Sequence, residues 1–192
     1  LWIPDPLNPN IQKGDNGLAS LLNLGETVTF KLAGFGNARH VYVAGNFNNW
    51  RAGELEMHKN GSGWIMAYTF TPGNYQYRFI VDGRWMPDPA NHHRAVSGGI
   101  ENSLLAVKPN HKFHLKGFTS AKTVRLTGDF MDWDESGYTM VRDGDGWSVS
   151  IHLKHGKYLY KYIVDGNWML DNTNRLWEQN QFNTGNSVLW ME

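Results

Sequence analysis

The sequence predicts an all-β protein built from two antiparallel β-sandwiches in tandem. Three observations carry that prediction. Apolar residues alternate with polar ones at a period of two, as in Val28, Phe30 and Leu32 or in Tyr75, Tyr77, Phe79 and Val81. Clusters of Gly, Asn, Asp and Pro interrupt these runs at 34–37, 46–49, 60–63, 72–74 and 82–83, the spacing of short strands joined by tight turns. The whole pattern then occurs twice. VYVAGNFNNW at 41–50 returns as VRLTGDFMDW at 124–133, an offset of 83, and 24 of the 65 residues at 27–91 equal their counterparts without a gap. Identity at that level marks a duplication.

Taken in chain order, LWIPDPLN at 1–8 lies 83 positions before RWMPDPAN at 84–91, and Ser20-Leu21-Leu22 lies 83 before Ser103-Leu104-Leu105. Residues 1–26 therefore read as an arm resembling the tail of a preceding repeat, either cut from a longer array or kept as a remnant. The first sandwich is expected over 27–108, with strands at FKLAGF, VYVAG and YQYRFIV. The second is expected over 109–192, after the short link Lys108-Pro109-Asn110 that would hold the two close. Beyond Asn91 the second copy gains one residue, so that ENSLL at 101–105 matches GNSVL at 185–189. Helix signals are nearly absent; the best is a turn or two near 170–180.

Composition narrows the function. Eighteen basic and eighteen acidic side chains leave a net charge of 0, so nothing draws the chain to nucleic acid or anionic lipid. No apolar run is long enough for membrane insertion, and nothing resembles a signal peptide. The absence of cysteine removes disulfides and thiolate metal sites and leaves the compartment open; secreted or periplasmic is favoured over cytoplasmic. Nine Trp, nine Phe and eight Tyr beside 21 Gly suit small β-domains and proteins that bind flat apolar faces. No cofactor is expected. RDGDGW at 142–147 lacks the spaced ligands of a calcium loop and reads as a type I′ turn, and His92-His93 reads as surface. Catalysis also lacks support. The repeated acids, Asp82/Asp165 and Asp88/Asp171, come with no second repeated carboxyl, and no GxSxG elbow is present. The chain is read as no enzyme, with a catalytic domain possible elsewhere in a parent protein.

The repeated hairpin is more informative. Asp82-Gly83 is a strong two-residue turn signal that sets Ile80 opposite Trp85. Residues directly opposite, and residues two apart, share a face. Arg78, Ile80 and Trp85 thus lie on one side, and Tyr77, Phe79 and Met86 on the other. The second copy repeats this with Lys161, Ile163 and Trp168 against Tyr160, Tyr162 and Met169. The more apolar alternation, Tyr77, Phe79 and Val81, is assigned inward. A cation beside an indole on the open face is either a decorative cation–π pair, worth ~0.5–1 kcal/mol, or a sugar contact. Pyranose C–H patches pack flat on indole while Arg or Lys donates to hydroxyls. Recurrence in both copies, beside a second tryptophan in each, favours the sugar contact.

The ordered set GNFNNW, YRFIVDGRW and ENSLL resembles the glycogen-binding domain of AMP-activated protein kinase β subunits. It is also similar to the starch- and glycogen-binding modules that precede catalytic domains in branching enzymes and isoamylases. The resemblance implies immunoglobulin-like (early-set) sandwiches that bind α-1,4-glucans through two tryptophans, a Lys or Arg, and an Asn on the last strand. These fall on Trp50, Arg78, Trp85 and Asn102, and on Trp133, Lys161, Trp168 and Asn186. Asp129 and Asp132 replace Asn46 and Asn49, which makes the second site more acidic. Phe47 and Phe130 are expected to anchor the loop, Trp64 and Trp147 to lie in the cores, and Trp177 and Trp190, found in one copy only, carry little weight. The expected role is non-catalytic binding of glycogen, starch or maltooligosaccharides, with a long glucan able to engage both copies. The alternatives are a protein–protein scaffold, or the accessory region of a glycoside hydrolase or esterase.

Overall fold

The computed structural model describes residues 25–192, so the expected N-terminal arm lies outside the described residues apart from its last two positions. In the first repeat the strands are β1 (Glu26–Leu32), β2 (Val41–Gly45), β3 (Leu55–Glu56), β4 (His58–Asn60), β5 (Gly63–Phe70), β6 (Gly73–Val81), β7 (Arg84–Met86), β8 (Arg94–Ser97) and β9 (Ile100–Val107). In the second they are β10 (His111–Lys116), β11 (Val124–Gly128), β12 (Tyr138–Thr139), β13 (Val141–Asp143), β14 (Gly146–Ile151), β15 (Gly156–Val164), β16 (Asn167–Met169), β17 (Trp177–Gln179) and β18 (Gly185–Met191). No α-helix occurs among the described residues, and every ladder is antiparallel.

Each repeat stacks two sheets. One layer is β1-β5-β4 in the first and β10-β14-β13 in the second. The facing layers merge into one long sheet of order β17-β18-β15-β11-β12-β8-β9-β6-β2-β3, with β16 on β15 and β7 on β6. Alternation fills each interior. Phe30, Leu32 and Trp64 meet Val41, Val43, Tyr77 and Phe79 in the first. Phe113, Leu115 and Trp147 meet Val124, Leu126, Tyr160 and Tyr162 in the second. The Phe30 and Tyr77 rings meet edge-on at 4.9 Å, as do Phe113 and Tyr160. Tyr77, Phe79 and Val81 thus point inward, as the alternation predicts. Ile80 and Ile163 share the other face yet are buried too. Each is flanked across the ladder by large side chains, Tyr42 and Trp85 in one case, Arg125 and Trp168 in the other.

The turns explain the repeated acids. Asp82 and Gly83 both have positive φ (45° and 84°), the type I′ requirement. The exposed Asp82 carboxylate accepts the N–H groups of Arg39 and His40, each at 3.0 Å, which holds it below its ordinary range. Asp165 does the same for Lys122 and Thr123. Asp88 is buried, accepts the Tyr77 hydroxyl at 2.6 Å, and its N–H donates to Ser103 Oγ at 2.7 Å. Asp171 repeats this with Tyr160 and Ser187. These bonds tie β9 and β18 to their sandwiches. Two expectations need correction. In the 142–147 turn only Gly144, the first central residue, has positive φ (59°), as in a type II′ turn, because Asp145 has not been forced into the left-handed region. The helical turn expected near 170–180 is instead a loop followed by β17, whose backbone is taken up by pairing with β18.

The repeats meet along the long sheet. Tyr138 of β12 pairs with Ala95 of β8. The Asn74 side chain accepts the His152 N–H at 2.9 Å and donates to its carbonyl at 2.8 Å. Ala95 and Leu104, both from the first repeat, are buried in the core cluster of the second.

Candidate functional site

The loop after β2 places the first tryptophan. Gly45 passes so close to β6 that a Cβ there would lie 2.3 Å from the Gln76 carbonyl; at Gly128 the same clearance from Leu159 is 2.4 Å. The chain then makes a short 3-10 turn (Asn46–Asn48, or Asp129–Met131) and swings through two successive left-handed residues, Asn49-Trp50 or Asp132-Trp133. The Trp50 and Trp133 N–H groups close the loop on the carbonyls of Gly45 (2.8 Å) and Gly128 (3.0 Å). Phe47 packs edge-on against Phe70 at 4.9 Å and Phe130 packs against the second core, the anchoring the sequence predicts. One loop-exit carbonyl is held by different means in the two copies. Asn48 Nδ2 donates to the Arg51 carbonyl, whereas Thr127 Oγ1 donates to the equivalent Asp134 carbonyl, where Met131 replaces Asn48.

The hairpins supply the rest. Trp85 and Trp168 are among the few large apolar side chains left open, at 37% and 40% exposure. The Arg78 guanidinium lies 5.9 Å from the Trp85 ring and donates to the Trp85 carbonyl at 2.9 Å. Its Nε is buried and has no hydrogen-bond partner among the described residues. Lys161 Nζ lies 5.9 Å from the Trp168 ring and donates to Thr184 Oγ1 at 2.9 Å. Burial pushes the Lys161 ammonium below its ordinary range. Asn102 is 3% exposed and donates to Gln76 Oε1 at 2.9 Å; Asn186 accepts from Asn180 Nδ2 at 3.1 Å.

All four predicted residues of each copy converge. Trp50, Arg78, Trp85 and Asn102 line one cleft of about 440 Å³, with Ser97 and Ile100. The two indoles there stand 6.4 Å apart at 47°. Trp133, Lys161, Trp168 and Asn186 line a second cleft of about 780 Å³. Sequence reading missed Ser97 and Ile100, and in the larger cleft Glu135, Leu159, Asn180, Gln181, Phe182 and Thr184. Phe182 is 74% exposed. The one-residue insertion was the available signal. Ala95 pairs with Asn102 and Glu178 with Asn186, so the extra residue falls in the β17–β18 turn that carries Phe182, where the first copy has Gly98-Gly99. Asp129, expected to make the second site more acidic, accepts the Leu159 N–H at 2.9 Å, as Asn46 does from Gln76, and the carboxylate that lines the larger cleft is Glu135.

Each cleft thus combines indole faces, one cation and one buried amide. The family described as "Glycogen recognition site of AMP-activated protein kinase" matches residues 27–114 and again 111–191. The chain belongs to this family. Among curated relatives, the 5'-AMP-activated protein kinase subunit beta-1 of Sus scrofa is 32% identical over 73 residues, 38% of this chain and 58% of that protein. Subunit beta-2 of Mus musculus is 31% identical over 70 residues, 36% of this chain and 26% of that protein. The match therefore spans less than two thirds of each of these relatives. A maltogenic amylase from S. marinus is similar at a TM-score of 0.40 and 16% identity, over 76% of this chain and 26% of the amylase. The two matched copies correspond to the two β-sandwiches, in tandem.

Proposed function

We propose that the chain binds α-1,4-glucans without catalysing their cleavage, through two sites, as part of a larger carbohydrate-active protein. The contacts in the first site are Trp50, Arg78, Trp85 and Asn102. In the second they are Trp133, Lys161, Trp168 and Asn186. Residues 27–108 and 109–192 are the two binding modules. One observation carries the reading: in a chain of a glycogen recognition family, both repeats place indoles, a cation and a buried amide in one open cleft. Glucose rings offer flat C–H faces for the indoles and hydroxyls for the cation and the amide.

A shallow site of this kind supports a dissociation constant of ~0.1–1 mM for a short sugar. Calorimetric titration with maltoheptaose is expected to find two sites in the intact chain and one in Trp85→Ala or Trp168→Ala. The double variant should bind none and should migrate freely through a native gel containing glycogen. Retardation of the double variant equal to that of the intact chain would sink the assignment.

A further inference from the structure

Side-chain parity can be followed from one cleft to the other along the shared sheet. Lys161 and Trp168 lie on one face of β15 and β16; Tyr162, one residue on, lies on the other. Opposite Tyr162 stands Leu126, opposite Leu126 stands Tyr138, and opposite Tyr138 stands Ala95. Directly opposed residues share a face, so all four belong to the face away from Lys161. Ala95 in turn stands opposite Asn102, and Leu104, two residues along, stands opposite Gln76, which is two residues before Arg78. The first cleft is therefore on the face opposite the second. Burial agrees independently. Leu104 shares its face with Asn102, yet it is packed in the core of the second repeat.

We infer that the two sites capture separate glucan segments, on opposite faces of one sheet, and that the tandem bridges glucan chains or particles. The inference rests on the glucan-binding reading above. Between β6 and β15 lie about 24 Å of sheet, and twist rotates the two faces without removing the sheet between them. The second repeat also rises on the first site's own face. Asn74, on that face of β6, is bonded to His152, and Leu104 is covered two residues along β9 from Asn102. A glucan leaving the first cleft toward the second repeat meets that repeat's β10-β14-β13 layer as a wall. The face carrying Lys161 and Trp168 continues, in the first repeat, as the face packed against β1-β5-β4. Neither direction offers one short chain a continuous path to both clefts.

The test compares the intact chain with Trp85→Ala and Trp168→Ala on three ligands: maltoheptaose, a long linear maltodextrin, and glycogen particles. The intact chain is expected to bind two maltoheptaose molecules. It should raise the scattering size of glycogen several-fold, and excess maltoheptaose should reverse the rise. Both single variants should stay bound to glycogen and leave its size unchanged. The inference is overturned if glycogen size does not rise with the intact chain while two maltoheptaose sites are present. It is equally overturned if the intact chain holds the long maltodextrin one-to-one, tenfold or more tighter than either variant. No maltoheptaose binding by the intact chain would remove the glucan-binding reading itself, and the bridging with it.

Discussion

Trp50 and Trp133 sit in left-handed backbone (φ 58° in both), directly after another left-handed residue. An aromatic residue is uncommon there, and the conformation costs on the order of 1 kcal/mol or more. Repetition of that strain in both loops sets these residues apart from the packing tryptophans. Trp64 and Trp147 are buried, and their indole N–H groups donate to the Phe35 and Phe118 carbonyls, each at 3.0 Å. Urea unfolding should separate the classes. Trp64→Ala or Trp147→Ala should lose ~3–5 kcal/mol, and Trp85→Ala or Trp168→Ala less than about 1 kcal/mol. Equal losses in both would mean that the cleft indoles are holding the fold. The distinction was legible in sequence because period-two parity, fixed by the Asp-Gly turn, already separated Trp85 from Tyr77 and Phe79. Left-handed backbone at Trp50 was not legible, since it comes from the closure of the loop on Gly45 and the approach of Gly45 to β6.

Strands whose edges face water in one copy are paired in the other, and the copies diverge at those positions. Asn74, Ala95 and Leu104 touch the second repeat, while Lys157, Glu178 and Val188 take their places in the second copy. There Lys157 Nζ forms an ion pair with Glu178 at the sheet edge. Ala95→Glu would bring the edge carboxylate of the second copy into the second core. A buried unpaired carboxylate is costly, and a loss of ~2–4 kcal/mol is expected in the second repeat, with earlier proteolysis near the 108–110 link. Unchanged unfolding in urea and unchanged protease resistance would show that the junction contributes nothing. The hairpins and strands were legible because each carries its own turn chemistry. The junction was not: it rests on one bridging pair, the bonds of Asn74 to the His152 backbone, the His93 contact and two buried aliphatic side chains, which have no local periodicity to announce them.

At the scale of the whole molecule, acid should loosen the assembly through two partly buried histidines. Burial lowers the affinity of His93 for protons, below its ordinary value of 6.5, and His111 is lowered by burial as well. His93 Nδ1 lies 3.4 Å from the Thr139 carbonyl, across the junction. The unfolded chain then binds more protons than the folded one between the lowered values and 6.5. Stability from these two groups is complete above 6.5 and is lost as pH falls through that window. Thermal unfolding at about pH 7.5 and about pH 5 should show a lower midpoint in acid, and His93→Gln with His111→Gln should shrink the difference. A midpoint that falls equally in the double variant would place the acid sensitivity elsewhere.

The contact between the repeats joins unlike surfaces, the β8 edge of one to the β12 strand of the next. A heterologous contact of this kind has no reason to stop after one step and, repeated between molecules, builds open filaments. Among the described residues, the surfaces needed for such growth lie at the two ends of the long sheet, β17 and β3. The exchange of Ala95 for Glu178 prevents the repetition, because the same docking at β17 would carry a carboxylate into the neighbour's aromatic layer. One substitution at the β17 edge thus opposes further growth of the sheet there, and concentrated protein is expected to remain free of end-to-end polymers.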